Sequence, residues 1–195
     1  MSSHHIVRED QEPALLILDA HAISFGRVQE LLEWMPTVIV SADQVDTVVG
    51  WGIKVDIVLT PLAEVEIWKN KLDDQAPVKF LSYNPGDDPL TRAFYFLTAS
   101  KATAVNCLLG SIDELTKIES FAGLDVEVFA NNKLWRWIKT GHFEKWIPAN
   151  TKLYLLPEYL KSEFPEFKSG YFQVEKDGIV DFSSKHSFWI GEEIG

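Results

Sequence analysis

The stretch from Thr37 to Val65 reads TVIVSADQVDTVVGWGIKVDIVLTPLAEV, and it decides the fold. It begins with a β-branched, apolar run through Ser41, which is typical of a strand buried on both faces of a parallel sheet. About one turn of helix follows, and Gly52 is typical of a glycine that ends a helix. The segment from Ile53 to Leu59 is a second buried strand. Because both strands end at the same edge, the stretch predicts a crevice at the carboxyl ends, where open α/β sheets bind ligands.

The alternation of strand and helix extends on both sides of this stretch. Apolar strand patterns and capped helical patterns follow one another from residue 14 to residue 109. The further predicted strands are Ala14–Leu18, Val78–Tyr83 and Ala104–Leu109, and the predicted helices are Phe25–Trp34 after the cap Ser24, Ala63–Leu72, and Pro89–Ala99 after the cap Asp88. This order predicts a Rossmann-like α/β domain with a mainly parallel sheet and helices on both faces.

From Asp125 onward, short strands follow one another without helices. Turns rich in Asn, Gly and Pro separate the strands, which is typical of an antiparallel arrangement. The predicted strands are 126–130, 134–138, 142–147, 152–156, 170–174, 179–182 and one around Trp189. The pattern predicts a small antiparallel β-sandwich. We predict a flexible terminus over 1–12, an α/β domain over 13–148 and the sandwich over 149–195, with the strands from about residue 125 free to pack with it.

Composition excludes several classes of protein. A chain of 195 residues is long enough to bury roughly 70% of its unfolded surface without disulfides or structural metal ions. The net charge of -11, with no cluster of Lys and Arg, argues against nucleic-acid binding. The single cysteine, Cys107, rules out an internal disulfide framework and favours a reducing, cytoplasmic compartment. No apolar run approaches ~20 residues, and the start MSSHHIVRED lacks a secretory pattern, so we expect no membrane association.

The order of motifs in the deciding stretch resembles the thiamin pyrophosphokinase family. That family carries an Asp-Gly-Gly turn, a Gly-Ile-x-Pro-Asp stretch and then Gly-Asp-x-Asp-Ser. Asp43 falls on the first aspartate, and Gly52-Ile53-Lys54-Val55-Asp56 follows the second motif with Val55 in place of proline. Thr60-Pro61-Leu62-Ala63-Glu64 replaces the third motif. The resemblance covers nearly the whole chain and implies a Rossmann-like domain, a β-sandwich, and a homodimer with thiamin bound between subunits.

The resemblance also implies a reaction, the ATP-dependent transfer of a pyrophosphoryl group to thiamin. Carboxylate-bound Mg²⁺ offsets the phosphate charge in such a transfer. The metal-binding aspartate positions of the family are Pro61, Ala63 and Pro89 here. Gln44-Val45 replaces the glycine pair that permits a close backbone approach.

The remaining acidic residues are the candidates for this site. The resemblance places Asp43 on a catalytic, metal-binding aspartate and Asp113 on a later aspartate of the family. Asp87, Asp88 and Glu64 lie beside the lost positions and are candidates to substitute for them. The predicted nucleotide and Mg²⁺ crevice thus contains Asp43, Asp87, Asp88 and Asp113, with Glu64 as a second metal ligand beside Asp43. Each has a structural alternative, since Asp is favoured in turns and at helix N-caps whatever the function.

Aromatic residues of the second half are candidates for a thiamin site. Trp135 and Trp137 lie two apart on one strand and therefore share a face, and aromatic faces bind flat cations. Tyr171 and Phe172 occupy the region in which the family stacks an aromatic ring on thiamin. The alternative is that these side chains form the sandwich core and a dimer interface.

Three hypotheses remain open from the sequence. In the first, the chain is a divergent, active thiamin pyrophosphokinase that uses ATP and Mg²⁺. Alternatively, it keeps the fold and binds thiamin or a thiamin phosphate, with weakened or lost catalysis and no cofactor. In the third, it is a dimeric interaction protein. The second hypothesis is favoured, because three acidic positions are lost.

Overall fold

The computed structural model describes residues 12–121, 123–158, 160, 164, 167 and 170–194. Within them the chain forms two compact units, the first ending at Asp125 and the second beginning at Val126. The predicted terminal segment lies outside the described residues except for Glu12. No helix in the described ranges combines the length and the apolar character needed to cross a membrane.

The first unit is a parallel sheet whose strands alternate with helices. Its elements are β1 (Ala14–Ile17), α1 (Phe25–Leu32), β2 (Val38–Ser41), α2 (Val45–Gly50), β3 (Ile57–Pro61), α3 (Val65–Lys71), β4 (Lys79–Tyr83), α4 (Pro89–Ala99), β5 (Ala104–Leu108) and α5 (Leu115–Ile118). The strand order is β5-β1-β2-β3-β4, and every pair is parallel. All five strands therefore end along one edge of the sheet, the carboxyl edge, which confirms the predicted α/β class.

Burial explains why these short segments form strands. All four residues of β1 and of β2 are buried, as is usual for central strands of a parallel sheet. The strand β4 lies at the edge of the sheet and has no fully buried residue. Helix α4 begins as predicted, with Asp88 as its N-cap and Pro89 as its first residue, and it buries Leu90, Ala93, Phe94 and Leu97.

The predicted strand from Ile53 is the largest difference in this unit, because β3 begins only at Ile57. Gly52 ends α2 with a φ of 75°, as predicted. Ile53 and Val55 are buried in the connection that follows, which explains why the apolar pattern begins before the strand. The Asp56 carboxylate accepts a hydrogen bond from the Val38 N–H at 2.9 Å and so joins the start of β3 to the start of β2.

The second unit is an antiparallel β-sandwich, as predicted. Its strands are β6 (Asp125–Ala130), β7 (Lys133–Ile138), β8 (His142–Ile147), β9 (Lys152–Leu156), β10 (Phe172–Gln173), β11 (Gly178–Ser183) and β12 (Phe188–Glu193). One sheet has the order β10-β9-β12-β7-β6, and β8 pairs with β11 in the other. Both sheets contribute to one core, with Phe143 and Phe182 on one side and Leu155, Phe188 and Ile190 on the other.

The boundary between the two compact units lies at the start of β6. Within the sandwich β6 pairs with β7, β7 with β12, and β8 with β11, so β7 and β8 share their hydrogen bonds with the C-terminal segment. The domain boundary at residue 148 stays a prediction.

Candidate functional site

An acidic side chain follows each of the five strands at the carboxyl edge. Parallel strands present their last residues to the same crevice, so residues distant in sequence meet there. The acidic side chains are Asp19 after β1, Asp43 after β2, Glu64 after β3, Asp87 and Asp88 after β4, and Asp113 and Glu114 after β5. Acidic side chains therefore line the carboxyl edge, and their binding roles stay a prediction.

Both carboxylate oxygens of Asp43 accept hydrogen bonds from the chain itself. The Ser41 hydroxyl donates to Oδ1 at 2.5 Å, and the Gln44 side-chain amide donates to Oδ2 at 2.8 Å. The carbonyl oxygen of that amide accepts from the Ala20 N–H at 3.0 Å, which links the end of β2 to the end of β1. Gln44 thus has a structural role at a position where the resembling family has glycine.

Glu64 and Asp43 both act on Tyr83, the last residue of β4. Burial raises the pKa of the Tyr83 phenol, and the negative charges of Asp43 and Glu64 raise it further. Glu64 also accepts a hydrogen bond from the Trp68 indole N–H at 3.2 Å. The structure therefore brings the two predicted metal ligands toward one phenol. Tyr83 was missed by the sequence reasoning, although its place at the end of a strand is the signal that identifies it.

Asp87 and Asp88 have the structural roles that the sequence offered as alternatives. Asp87 accepts from the Asn84 N–H at 2.9 Å and closes the turn after β4. Asp88 caps α4 by accepting from the Thr91 N–H at 3.0 Å and the Thr91 hydroxyl at 2.6 Å. Its other oxygen accepts from the Lys117 ammonium at 3.0 Å. Partial burial acts to raise the pKa of Asp88, but the hydrogen bonds from Thr91 and Lys117 outweigh it and hold the pKa below its usual value.

Lys117 lies among the acidic residues after β5. Asp113 is exposed and accepts from the Ser111 hydroxyl at 2.9 Å. Burial raises the pKa of Glu114, the Lys117 charge opposes this, and the charges of Asp88 and Asp113 add to it. The ammonium group of Lys117 therefore supplies a positive charge among these carboxylates. The sequence reasoning missed both Glu114 and Lys117, which are three apart, a spacing that brings side chains together on a helical turn.

Asp19 lies at the end of β1, and its carboxylate accepts a hydrogen bond from the His21 N–H at 2.8 Å. A Cβ on Gly110 would meet an Asp19 carboxylate oxygen at 3.2 Å, so glycine allows a tight approach there. His21 itself is exposed.

In the described part of the chain, the carboxyl edge holds no preformed group of three acidic ligands for Mg²⁺. Magnesium prefers an octahedron of oxygen ligands and tolerates misplacement poorly. Among the described residues, the acidic side chains of the carboxyl edge form no group of three whose ligand atoms all lie within 4.8 Å of one another. The oxygens of Asp43 and Asp88 already accept hydrogen bonds from neighbouring groups. The metal role of Asp43 and Glu64 stays a prediction.

The aromatic candidates separate into core and surface. Trp135 is buried and lies against Gly191, and its indole N–H donates to the Ala130 carbonyl at 3.3 Å. Phe172 packs against the sandwich core. Trp137 is half-buried with its ring 5.2 Å from that of Trp189, and Tyr171 is half-buried under the Lys152 ammonium, 5.2 Å from its ring. Trp137, Tyr171 and Phe172 are all half-buried, and Phe172 is the one of the three that packs against the sandwich core.

Comparison with solved structures gives the fold. Thiamin pyrophosphokinase from yeast matches over 98% of this chain and 88% of its own, with a TM-score of 0.69 and 9% identity. The enzyme from Bacillus subtilis matches over 93% of this chain and 98% of its own, with a TM-score of 0.64 and 10% identity. The enzyme from Candida albicans matches over 96% and 90%, with a TM-score of 0.59 and 10% identity. The chain has the thiamin pyrophosphokinase fold.

The thiamin pyrophosphokinase fold includes both units of this chain, since the matches cover 93% to 98% of it. The sequence itself matches no model of a known protein family and no curated protein. At about 10% identity the likeness establishes the architecture, and the chemistry must be argued from this chain's own residues.

Proposed function

We propose that this chain is a thiamin pyrophosphokinase-like protein in which pyrophosphoryl transfer from ATP is weakened or lost and a binding site for thiamin or a thiamin phosphate is kept. One observation carries the proposal. The carboxylates of Asp43 and Asp88, two of the candidate nucleotide and Mg²⁺ ligands, accept hydrogen bonds from the chain's own donors, Ser41, Gln44, Thr91 and Lys117. Pro61, Ala63 and Pro89 supply no carboxylate at the positions where the family binds metal.

The charge of the crevice supports the same conclusion. Phosphoryl transfer places negative charge on the phosphate oxygens, and enzymes offset that charge with metal ions and cationic side chains. Here the acidic residues outnumber the one described cation among them, Lys117, which is already paired with Asp88. A triphosphate is repelled by such a crevice, whereas the thiazolium cation of thiamin is attracted to it.

Calorimetric titration tests this proposal. Purified protein is titrated with thiamin and with a non-hydrolysable ATP analogue, each with and without Mg²⁺. We expect thiamin or thiamin phosphate to bind in both buffers and the analogue to give no Mg²⁺-dependent heat. Mg²⁺-dependent binding of the analogue would overturn the proposal, and absence of binding by any thiamin compound would leave only an interaction role.

An active enzyme is the second candidate, and the joint effect of Asp43 and Glu64 on Tyr83 favours it. The charges of both carboxylates act on the same phenol, so Asp43 and Glu64 are the pair from which a metal site could be built. In that case Asp43→Ala should abolish nucleotide binding while the protein still folds. Asp46→Ala is the matched control, because Asp46 is also an exposed aspartate of this segment and pairs instead with Lys71.

A homodimer with thiamin bound between subunits belongs to the same proposal. It rests on the resemblance to the thiamin pyrophosphokinase family. Light scattering during size-exclusion chromatography gives the mass directly, and we expect twice the chain mass of 22.2 kDa. A monomer at the concentrations used for titration would contradict binding between subunits.

A further inference from the structure

The outer face of the two-stranded sheet β8–β11 carries a group of polar side chains. The pairing of the strands is antiparallel, with His142 opposite Ser183 and Glu144 opposite Asp181. The residues between them, Phe143 and Phe182, point into the sandwich core. Side chains alternate between faces along a strand, so the four polar residues share the outer face.

The histidine of this face is placed between two carboxylates. Its Nδ1 lies 3.4 Å from an Asp181 oxygen and 2.9 Å from the Ser183 hydroxyl, and its Nε2 lies 3.6 Å from a Glu144 oxygen. A neutral imidazole has only one N–H. The other ring nitrogen carries a lone pair, which can accept a hydrogen bond from the Ser183 hydroxyl or bind a cation.

We propose that His142, Glu144 and Asp181 bind a divalent transition-metal ion of the zinc type. Each residue offers one ligand atom, and the three atoms all lie within 4.8 Å of one another. Zn²⁺ takes nitrogen and oxygen ligands at about 2.0–2.2 Å, so ligands around a tetrahedral ion are separated by about 3.4 Å. An imidazole binds one ion through one nitrogen, and on either side a carboxylate lies at about this separation: Asp181 is 3.4 Å from Nδ1 and Glu144 is 3.6 Å from Nε2.

The chemistry of the ligands selects the class of ion. Imidazole nitrogen favours Zn²⁺, Co²⁺ or Ni²⁺, whereas Mg²⁺ and Ca²⁺ favour oxygen alone. The ring nitrogen that does not bind the ion keeps its N–H and donates it to a neighbouring oxygen, which fixes the orientation of the ring. All three side chains are exposed, so water completes the coordination.

The ion would cross-link the two strands, since His142 and Glu144 lie on β8 and Asp181 lies on β11. A ligand that binds only the folded state stabilises it in proportion to the logarithm of its concentration. The three residues belong to the sandwich unit, and none of them is among the residues proposed to bind thiamin, nucleotide or Mg²⁺. The inference therefore does not rest on the proposed function.

The test is a titration with Zn²⁺, followed by calorimetry and by the melting temperature, in the presence of excess Mg²⁺. His4 and His5 are replaced by Asn in every protein tested, because this N-terminal pair offers ligands of its own. The variants are His142→Asn and Asp181→Asn. His186→Asn is the matched control, since His186 is an exposed histidine of the same unit that does not belong to the group.

We expect one Zn²⁺ per chain, a higher melting temperature with Zn²⁺, and no competition from Mg²⁺. His142→Asn should weaken binding about tenfold or more and remove the shift in melting temperature, Asp181→Asn should also weaken binding, and His186→Asn should leave both unchanged. Equal Zn²⁺ affinity in the parent, His142→Asn and Asp181→Asn proteins would overturn the proposal. So would the absence of any effect of Zn²⁺ on the parent protein.

Discussion

Asp88 is the residue whose role is best defined by its contacts, because one carboxylate serves both a helix cap and an ion pair. Removing an N-cap side chain costs about 0.5–2 kcal/mol of stability. We therefore expect Asp88→Ala to lower the free energy of unfolding by about 1 kcal/mol at pH 7, measured by urea denaturation. Asp88→Asn keeps a capping oxygen and loses only the charge, so it should cost less. Equal stability of Asp88→Ala and the parent protein would contradict the contacts.

The pH dependence of this residue has a definite sign. The folded protein holds the pKa of Asp88 below its unfolded value. A carboxylate with a depressed pKa contributes stability above its unfolded pKa, and the contribution is lost as the pH falls through the folded pKa. The cost of Asp88→Ala, measured from pH 7 downward, should therefore shrink in acid. A cost that stays constant would show that the charge is unimportant.

Glu114 should behave in the opposite way. Burial is the largest cause that raises its pKa, against which Lys117 acts. A carboxylate with a raised pKa penalises the folded state once it ionises, so the penalty grows as the pH rises through its folded pKa. We expect Glu114→Gln to raise the urea midpoint at pH 7 and to leave it unchanged near the acid end. Glu33→Gln, at an exposed site, is the control and should have little effect at either pH.

For single residues, the sequence predicted only contacts between residues that are close together in the chain. The cap Asp88 was predicted because Asp followed by Pro is a local signal. The bond from Ala20 to Gln44 spans 24 residues, and the bond from Lys117 to Asp88 spans 29. Such contacts depend on which strands become neighbours, and no local pattern specifies them.

At the scale of elements, the two glycines near the end of α2 differ in backbone conformation: Gly50 is the last residue of the helix, and Gly52 follows two residues later. Gly52 has a φ of 75°, where a Cβ is unfavourable, while Gly50 is the last residue of the helix and has open space around its Cα. Gly52→Ala should therefore cost about 1 kcal/mol. Gly50→Ala should gain about 0.5–1 kcal/mol through reduced freedom of the unfolded chain. Thermal denaturation of both variants measures the two effects, and changes of the same sign would contradict this account.

The pairing of β7 with β12 depends on a further glycine. A Cβ at Gly191 would lie 2.8 Å from the Trp135 ring, so either the ring or the strand would have to move. We expect Gly191→Ala to destabilise the protein by about 1–3 kcal/mol, measured by urea denaturation. Gly178→Ala is the matched control, because nothing lies within 4 Å of its added Cβ. Similar effects of the two substitutions would be inconsistent with the packing.

Element positions were largely predictable from the sequence, and the exceptions have physical causes. The predicted strand from Ile53 began four residues too early, because Ile53 and Val55 are buried without pairing in the sheet. The predicted helix to Trp34 ends at Leu32, and Trp34 is exposed. An apolar sequence pattern predicts which residues are buried. A strand also needs a neighbouring strand to pair with, and the pattern does not identify that neighbour.

At the scale of the whole molecule, the order of elements predicted the α/β unit followed by the sandwich. The pairing of β8 with β11 joins strands that are thirty residues apart in the chain, and no local pattern specifies such a pairing. The chemistry follows a different rule. Many apolar positions together stabilise a fold, whereas a metal site depends on a few carboxylates. Substitution of those few carboxylates can therefore remove the metal site and leave the fold intact.

The most direct measurement is the formation of thiamin diphosphate from thiamin and ATP with Mg²⁺, with the yeast enzyme as positive control. Under the proposed function, we expect kcat/KM to be at least about a hundredfold below that of the control, because Pro61, Ala63 and Pro89 supply no carboxylate to hold a charge-compensating metal ion. Turnover at a comparable rate that requires Mg²⁺ and disappears in Asp43→Ala would contradict the account. It would mean that the remaining carboxylates rebuild the metal site.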